Sequence, residues 1–399
     1  MRELYAWFGS RLVGVFEDTG GAGARFSYDP AYADDPQATP LSLSLPLDGT
    51  GTGAAAYAYL DNLLPDNPDV RARWARERGL DGDDPFTLLS SYGSDVAGAV
   101  TLSACADPLE QEPQVLVEAT DDDIAARIAT LGRETTAWLD PRARARMSLA
   151  GSQGKFSLTR VRDRWFWPTD TTPSTHIFKP PSLQHRNIDL FEHLALVLAR
   201  EVGLVASRSS RDFIRGQSTF IVERWDRYDG ARLHAEDLNQ ALGNRTGEKY
   251  NSGKAGAPVV ARLLGGYGLE YQFVRQLAFN AALGNADAHA KNYSILLSGP
   301  QVALAPLYDA LPVYFWPKYD TALAMPIGSA RFPADMTEPN WREFAAQAGL
   351  DPDRVCQEAF TVISDVADHY EAVFAAGGTD SARMMLVAKR VRILRRLGA

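Results

Sequence analysis

A short polar run between two apolar segments constrains the fold more than any other feature of the sequence. The run Gly284–Asn292 has the sequence GNADAHAKN, follows the apolar stretch Phe273–Leu283 and precedes the apolar residues Ile295–Leu297. The flanking stretches predict buried elements, so the polar run is predicted to be a loop that a rigid scaffold holds in place. Loops held in this way often carry binding or catalytic residues.

Four side chains in the polar run are candidates for chemistry: Asp287, His289, Lys291 and Asn292. The spacing from Asp287 to Asn292 matches the H-R-D-x-x-x-x-N loop of protein kinases, in which the Asp orients the substrate hydroxyl and the Asn binds magnesium. The same spacing also arises in unrelated polar loops. Its interpretation therefore depends on whether the rest of the chain supplies the other components of such a site.

The composition excludes several classes of protein. A chain of 399 residues is long enough for two or three domains, and its net charge of −9 argues against a surface that binds nucleic acid throughout. The two cysteines, Cys105 and Cys356, are too few and too distant for a disulfide framework or a C-x-x-C metal site. The sequence shows no secretory signal and no apolar run of about 18 residues. We therefore expect a cytoplasmic protein without a membrane span.

The first hundred residues predict strands followed by short helices. The segments Leu4–Phe8 and Leu12–Glu17 flank Gly9-Ser10 like the strands of a hairpin, and Arg25–Tyr28 is predicted to pair beside them. The alternating run Leu41–Leu47 predicts a further strand. The other elements predicted here are a helical or turn-like segment at Tyr57–Leu64, helices at Val70–Arg78 and Thr87–Tyr92 and a strand at Ala99–Leu102.

The rest of the chain changes from predicted strands to predicted helices. The proline- and acid-rich stretch Asp107–Gln114 predicts a linker, and Thr120 is predicted to cap the helix Ile124–Leu131. From Gly268 onward the sequence is mostly helical, and this order predicts a two-lobed α+β domain. Further predicted elements are strands at Arg164–Pro168, Thr175–Lys179, Phe213-Ile214, Ser218–Val222 and Val302–Leu304, and helices at Glu192–Val202 and Met384–Leu397.

A glycine loop, Ala150–Lys155, is the second candidate for a functional site. It is predicted to lie between apolar strands, and Gly151 and Gly154 would let backbone N–H groups approach a phosphate. Only two residues separate these glycines, so the loop does not match the G-x-x-x-x-G-K-[ST] pattern. On its own it indicates an ordinary β-turn rather than a phosphate-binding loop.

Two strand ends supply further candidates. Lys179 ends an apolar strand, where its ammonium group would neutralise phosphates, and Glu192 on the next helix is a candidate partner for it. The alternative is that both side chains are simply solvated. The backbone of Val222–Trp225 is placed to bond an adenine that Trp225 would cover, although Trp225 is equally consistent with a core residue.

The last candidate is the pair Tyr308-Asp309, which follows the polar run at a spacing that would suit a second magnesium ligand. Asp309 lies 22 residues beyond Asp287 (309 − 287) and follows a strand-like segment. Magnesium prefers one or two carboxylates together with phosphate and water oxygens. Asp309 and Asn292 would supply the protein part of such a site.

Together these segments resemble the HipA-like serine/threonine kinase toxins of bacterial toxin–antitoxin pairs. The motifs that carry the resemblance cover nearly the whole chain, in order. They are DNLLPDNP (Asp61–Pro68), DPFTLLSSYGSDVAGAV (Asp84–Val100), SLAGSQGK (Ser148–Lys155), STHIFK (Ser174–Lys179), VERWDR (Val222–Arg227), HAEDLNQALG (His234–Gly243), GNADAHAKN (Gly284–Asn292) and APLYDALP (Ala305–Pro312).

The resemblance implies a particular architecture. We expect an α+β, two-lobed protein-kinase-like fold with a β-rich N-terminal lobe and a mostly helical C-terminal lobe, preceded by a small N-terminal α/β subdomain. The boundaries predicted from the sequence are 1–106 for the N-terminal subdomain, 107–145 for a linker and helix, 146–228 for the β-rich lobe with the glycine loop, and 229–399 for the helical catalytic lobe.

The resemblance also implies a role for each candidate residue. Asp287 would be the catalytic base, assisted by His289 near the γ-phosphate and by Lys291, whose part is less defined. Asn292 and Asp309 would bind Mg²⁺. The implied ATP contacts are Ala150, Gly151, Ser152, Gln153, Gly154, Lys155, Lys179, Glu223, Arg224, Trp225 and Tyr308.

Regulation is implied as well. Ser148 matches the serine that HipA-like kinases autophosphorylate, a step that ejects the glycine loop and stops the kinase. Arg142, Arg144 and Arg146 would receive that phosphate, or form a solvated arm. Gly154 departs from the family pattern, in which Glu is common, and we expect a more mobile loop in consequence.

The function implied is that of a cytoplasmic toxin kinase that uses ATP and Mg²⁺. Its substrate would be a protein, an aminoacyl-tRNA synthetase such as glutamyl-tRNA synthetase, and its partner a HipB-like helix-turn-helix antitoxin. DNA would be reached only through the antitoxin complex, where a basic closing helix would approach it unless that helix is merely solvated. The basic residues are Arg383, Lys389, Arg390, Arg392, Arg395 and Arg396.

Two alternatives remain open from the sequence. The first is an inactive kinase-like corepressor, against which the complete set of Lys179, Asp287, Asn292 and Asp309 argues. The second is an enzyme that phosphorylates a small molecule with the same residues.

Overall fold

The chain forms two compact units in a computed structural model that describes residues 2–106, 115–139, 148–151, 153–182 and 184–397. The first unit comprises Met1–Arg186, Ser210–Thr246 and Ile295–Ala303. The second comprises Asn187–Ser209, Gly247–Ser294 and Leu304–Ala399. The predicted linker Asp107–Gln114, the three arginines Arg142, Arg144 and Arg146, and Ser152 lie outside the described residues.

The strands and helices follow one another along the chain. The strands are β1 (Glu3–Phe8), β2 (Arg11–Gly20), β3 (Gly23–Tyr28), β4 (Val100–Ser103), β5 (Val117–Glu118), β6 (Phe156–Val161), β7 (Arg164–Trp167), β8 (His176–Lys179), β9 (Ser209–Ile214), β10 (Gln217–Glu223), β11 (Arg227–Tyr228), β12 (Ala231–Arg232), β13 (Ala235–Asp237), β14 (Ser294–Ser298) and β15 (Gln301–Leu304). The α-helices are α1 (Pro30–Ala33), α2 (Gly53–Asn62), α3 (Pro68–Arg78), α4 (Pro85–Tyr92), α5 (Asp121–Arg133), α6 (Ile188–Glu201), α7 (Leu238–Ala241), α8 (Ser252–Ala255), α9 (Ala257–Gly265), α10 (Glu270–Leu283), α11 (Glu338–Ala348), α12 (Pro352–Ala376) and α13 (Ser381–Leu397).

The amino-terminal part of the first unit is a sheet with strand order β3-β2-β1-β4. The predicted hairpin is confirmed, since β1 and β2 pair antiparallel with Phe8 opposite Arg11. The prediction that Arg25–Tyr28 pairs beside it is confirmed as well. Alternating side chains of β1 and β2 enter the core, among them Leu4, Ala6 and Val13, because successive residues of a strand face opposite sides of the sheet.

The strand predicted at Leu41–Leu47 is wrong. This segment forms turns with one isolated bridge between Ser42 and Leu45, and two of its four leucines, Leu41 and Leu45, are buried. Its polar groups do not face water, because the Ser42 hydroxyl and the Leu43 N–H both donate to the carboxylate of Glu236. A distant buried acceptor therefore determines the backbone here, which a local alternation of residues cannot reveal.

A second sheet of the first unit has the order β5-β7-β6-β8-β10-β9. Aromatic side chains pack on it, with the Phe156 and Phe178 rings stacked 4.9 Å apart between centroids. The helix α5 begins as predicted at Thr120, which forms a capping box with Asp123. A third sheet, β13-β14-β15, carries the strands that follow the polar run.

The second unit is built mainly from helices α6 and α9–α13. In α6 the predicted apolar positions Leu194, Ala195 and Leu198 are all buried, as expected for one face of an amphipathic helix. The long helix α12 begins at Asp351, whose side chain accepts from the N–H groups of Asp353 and Arg354. A first unit rich in sheet and a mainly helical second unit confirm the predicted α+β class.

Across the residues that the structure describes, no helix is long and apolar enough to cross a membrane.

Candidate active site

The polar run begins where helix α10 ends, and the helix end is tightly fixed. Gly284 closes α10 with a φ of +85°, and a side chain there would lie 2.5 Å from the ring of Tyr314. The last carbonyls of a helix lack intrahelical donors. Here Arg390 donates to the carbonyl oxygens of Ala281 and Ala282, through its Nη2 and, at 2.9 Å, its Nε.

Further bonds continue this bracing into the loop. The Tyr370 hydroxyl donates to the Leu283 carbonyl oxygen at 3.0 Å. Asn285 Nδ2 donates to Asn280 Oδ1 at 2.9 Å and to the carbonyl oxygen of Asp309 at 3.3 Å. The start of the polar run is therefore tied both to the helix before it and to the segment that carries Asp309.

Asp287 is the exposed residue of this loop, and its neighbours Ala286 and Ala288 are buried. The hydroxyl of Tyr250 donates to Asp287 Oδ1 at 2.7 Å. The backbone N–H of His289 donates to the Asp287 carbonyl oxygen at 2.8 Å, and the His289 ring is buried. A carboxylate presented to solvent from a buried frame is suited to receive a substrate hydroxyl.

Asn292 and Asp309 are brought together as predicted for a magnesium site. Asn292 Nδ2 donates to Asp309 Oδ2 at 2.8 Å. Asn292 Oδ1 is buried and has no hydrogen-bond partner among the described residues, so one amide oxygen beside a carboxylate remains available as a ligand. These oxygens fit Mg²⁺, which takes few protein ligands and completes its shell with phosphate and water. The described residues contain no cluster of three or more His, Cys, Asp or Glu side chains that would suit another metal.

Asp309 has a backbone conformation that non-glycine residues rarely adopt. Its φ is +53°, in the left-handed region, and its side chain is exposed. Residues held in this region cluster at functional sites, because the surrounding structure must maintain them there. The preceding Tyr308 supplies part of that support, since its hydroxyl bonds to the Lys291 carbonyl oxygen at 2.8 Å and to Ser294 Oγ at 2.6 Å.

The glycine loop is held against the amino-terminal region of the same unit. Ser148 is fully buried; its hydroxyl donates to the Leu63 carbonyl oxygen at 2.7 Å, and its N–H to the Asp95 carbonyl oxygen at 3.1 Å. Gly151 forms a bridge with Pro65 and accepts from the Asp66 N–H at 3.0 Å. The strand predicted ahead of the loop is not formed by residues 148–150.

Within the loop, Gly151 and Lys155 are closely associated. Lys155 Nζ donates to the Ala150 carbonyl oxygen at 2.9 Å and lies 4.2 Å from the centre of a Trp138 ring. Gly151 has a φ of +102°, and a side chain at this position would approach Lys155 Nζ to 2.9 Å. Gly154 lies against the Thr135 carbonyl, while Gln153 is half-buried.

Lys179 and the segment after β10 lie on neighbouring strands. Lys179 is buried, pairs with Phe220 across β8 and β10, and has its Nζ 5.7 Å from the centre of the Phe220 ring. Glu223 is exposed and Trp225 half-buried. The backbone N–H of Arg224 donates to the Thr175 carbonyl oxygen at 2.9 Å, so it is already used within the unit.

The side chain of Arg224 belongs to a buried ion-pair network. It bonds to Asp226 and Asp95, and Arg227 bonds to the same two carboxylates. Burial opposes the charge of Arg224, but Asp226 and Asp95 more than offset it, so the pKa of Arg224 is raised. The ATP contact predicted for Arg224 therefore has no side-chain donor to draw on, because the guanidinium is held in this network.

The predicted residues thus fall into two groups, one in each unit. Asp287, His289, Lys291, Asn292, Tyr308 and Asp309 lie in the second unit. Ser148, the described part of the glycine loop, Lys179 and Glu223–Trp225 lie in the first. The sequence analysis missed Tyr250, Arg390 as a helix cap, and Asp95. Asp95 lies within the motif Asp84–Val100, but no local pattern indicated the contacts of these three residues, which only the folded chain reveals.

Comparison with protein families identifies the relatives of this fold. The HipA N-terminal domain matches residues 4–103, and the HipA-like C-terminal domain matches residues 147–372. The chain belongs to the HipA-like family. Among curated relatives of this HipA-like chain, the putative kinase Y4mE of Sinorhizobium fredii is 31% identical over 373 residues, which cover 88% of the chain and 86% of the relative.

HipA of Shewanella oneidensis is similar to the HipA-like chain in both sequence and structure. The serine/threonine-protein kinase toxin HipA is 28% identical over 295 residues, covering 67% of the chain and 66% of the relative. A solved structure of the toxin–antitoxin system HipA, HipB and its operator DNA contains a chain with a TM-score of 0.81 and 24% identity, covering 98% of this chain and 95% of that one. This likeness confirms the predicted kinase-like α+β fold.

Proposed function

We propose that the protein is an ATP- and Mg²⁺-dependent serine/threonine protein kinase that acts as the toxin of a toxin–antitoxin pair in the cytoplasm. The observation that carries the proposal is the polar loop: Asp287 is exposed on a rigid frame, and Asn292 Oδ1 lies buried without a partner among the described residues, beside Asp309. A base with a magnesium site a few residues away is the arrangement that phosphoryl transfer from ATP uses in kinases.

In the proposed reaction Asp287 orients the seryl or threonyl hydroxyl of the substrate and receives its proton. The hydroxyl oxygen bonds to the γ-phosphorus while the bond to the bridging oxygen breaks, and ADP leaves. His289 and Lys179 offset the charge on the phosphoryl oxygens. Asn292 and Asp309 hold Mg²⁺, which neutralises phosphate charge when bound.

The other ATP contacts are proposed at Ala150–Lys155, Glu223–Trp225 and Tyr308. The docked backbone of Gly151 supports a phosphate-binding role for the loop, because its left-handed φ leaves no side chain between backbone and ligand. For Arg224 the contact would use the carbonyl oxygen, since both its N–H and its guanidinium are bonded elsewhere.

We further propose that Ser148 is autophosphorylated and that this step inactivates the kinase reversibly. The buried hydroxyl of Ser148 bonds to the Leu63 carbonyl oxygen. A phosphate has no proton to donate there and carries charge into a buried position, so the modified loop leaves its docked position.

The proposed partner is a HipB-like helix-turn-helix antitoxin, with operator DNA reached through it, and the proposed substrate is an aminoacyl-tRNA synthetase related to glutamyl-tRNA synthetase. The partner is supported by the Shewanella oneidensis complex, which contains HipA, HipB and operator DNA. The substrate rests on the family resemblance alone.

The test is incubation of the purified protein with γ-labelled ATP, alone and with a cell lysate. Label on the protein itself and on a lysate protein is the expected result. Label on a small product would replace the proposal with a small-molecule kinase, and no label at all would favour an inactive corepressor. Mass spectrometry of the labelled protein locates the phosphate at Ser148 or elsewhere.

A further inference from the structure

Tyr250 contacts both of the chemically important side chains at the start of the polar loop. Its hydroxyl donates to Asp287 Oδ1 at 2.7 Å. Its ring meets the His289 ring edge to face, with centroids 5.0 Å apart and planes at 78°. Tyr250 lies 37 residues before Asp287 in sequence. The role of this contact depends on how the Tyr250 and Asp287 side chains are held.

The segment that carries Tyr250 is fixed on both sides. Before it, Glu248 accepts the N–H of Asn251 at 2.8 Å through its carbonyl oxygen and pairs with Lys254 through its carboxylate. After it, Asn251 caps α8 by accepting the Gly253 N–H at 3.0 Å. A residue between two such anchors has a restricted backbone, so the Tyr250 hydroxyl is presented from a fixed position.

Asp287 has the complementary property. It is exposed, and the terminal torsion of an aspartate is broad, so the orientation of its carboxylate depends on the hydrogen bonds that it accepts. A hydrogen bond to Oδ1 from a fixed donor restricts that rotation. The ring contact with His289 fixes the phenol in turn, and Tyr250 remains 52% exposed.

We propose that Tyr250 is a positioning residue for phosphoryl transfer, holding the Asp287 carboxylate in the orientation that receives the substrate hydroxyl. The inference rests on the proposed kinase function and deepens it. Misplacing a reacting group by about 1 Å can cost on the order of 100-fold in rate, so loss of one orienting bond has a measurable effect. The two anchors distinguish this role from that of a mobile cap, which the substrate would have to displace.

The test replaces Tyr250 by Phe, which removes the hydroxyl and keeps the ring against His289. The rate of label transfer from γ-labelled ATP to lysate protein is measured over a range of ATP concentrations. We expect the maximal rate to fall about 10-fold while the KM for ATP is unchanged, because Tyr250 acts through the base. Tyr228→Phe is the matched control: Tyr228 is 74% exposed on the β11–β12 hairpin, and its variant keeps the full rate.

A second measurement separates positioning from a general structural effect. In the Asp287→Ala background, Tyr250→Phe should lower the residual rate no further, since the group it positions is gone. A Tyr250→Phe variant with an unchanged or faster maximal rate would overturn the inference and leave the kinase function standing. A wild-type protein that transfers no label to any protein would overturn the kinase function first, and the inference with it.

Discussion

The two loops that carry the candidate site are held in different ways. Residues 148–151 of the glycine loop dock through hydrogen bonds to the backbone of Leu63, Asp66 and Asp95, all of which are more than 50 residues earlier in the chain (148 − 95 = 53). The polar loop instead continues from a helix whose last carbonyls are capped by Arg390 and Tyr370. One loop is attached by neutral hydrogen bonds, each of about 1 kcal/mol, and the other is built into a helix end.

Because the two loops are held differently, we expect them to differ in how readily they move. A loop docked by a few neutral bonds leaves as a unit when one of its groups is modified, whereas a loop continuous with a capped helix moves only if the helix end unfolds. This difference supports the proposal that the glycine loop serves regulation and the polar loop chemistry. Four changes test that separation.

The largest effect is expected from Asp287→Ala in the polar loop. Loss of the base should lower the rate of phosphate transfer roughly 1,000-fold. Because Asp287 is exposed, the thermal midpoint should change by only a few degrees. Asp335→Ala, at another exposed carboxylate of the second unit, is the control and should keep full activity. A variant of Asp287 that still labels its targets would show that the base lies elsewhere.

Arg390→Met removes the cap of the helix that leads into the polar loop. The change leaves the Ala281 and Ala282 carbonyls buried without their charged donor, at a cost of about 3 kcal/mol in the free energy of unfolding. Chemical denaturation measures this value, and Arg392→Met on the exposed side of α13 should cost less than about 0.5 kcal/mol. Equal stabilities of the two variants would mean that Arg390 does not brace the loop.

Ser148→Asp tests the docking of the glycine loop. The carboxylate cannot donate to the Leu63 carbonyl oxygen and would be buried with its charge, so the loop should undock and the KM for ATP should rise about tenfold or more. Ser148→Ala removes a single neutral bond and should raise the KM by no more than about fivefold. If both variants bind ATP like the wild type, the docked loop makes no contribution to nucleotide binding.

Glu236→Gln tests how the stability of the first unit depends on pH. Burial raises the pKa of Glu236 to about 8 from 4.5, so the folded protein holds a proton that the unfolded chain releases between these values. Stability due to this proton is present below about pH 4.5 and is lost as the pH rises toward 8, at up to about 1.4 kcal/mol per pH unit.

The glutamine variant should abolish that loss, which denaturation curves at about pH 5 and about pH 8 will measure. Burial also lowers the pKa values of His176 and His234 to about 4, which weakens folding at acid pH, but both histidines remain in the variant and cancel in the difference. If the free energies of unfolding of the wild type and of Glu236→Gln change with pH in the same way, Glu236 is not the group that causes this loss of stability.

Local patterns in the sequence predicted local structure well. The β1–β2 hairpin around Gly9-Ser10 and the capped helix at Thr120 depend on residues within a few positions of one another, and both are confirmed. The polar run was recognised for the same reason, since its ends are marked by apolar segments next to it. Interactions between residues that are close in sequence can therefore be predicted from a short segment.

Contacts between distant residues were not predictable. Leu41–Leu47 alternates like a strand, but Glu236 binds its polar groups from nearly 200 residues away and folds it into turns. Arg224 appeared as a nucleotide contact beside a strand end, while its side chain is paired with Asp95 and Asp226. In the same way nothing in α13 distinguished Arg390, which caps a helix, from its exposed basic neighbours.

The Arg390 cap also has a consequence for the order in which the protein is made. Arg390 lies 103 residues after Asp287 (390 − 287), so the ribosome must add at least that many residues before the frame of the polar loop is complete. The first unit, by contrast, has all of its strands and helices by Leu304. Since domains of a growing chain fold as they emerge, we expect the docked glycine loop to form before the frame of the polar loop. Synthesis itself would therefore delay activity until Arg390 has been added.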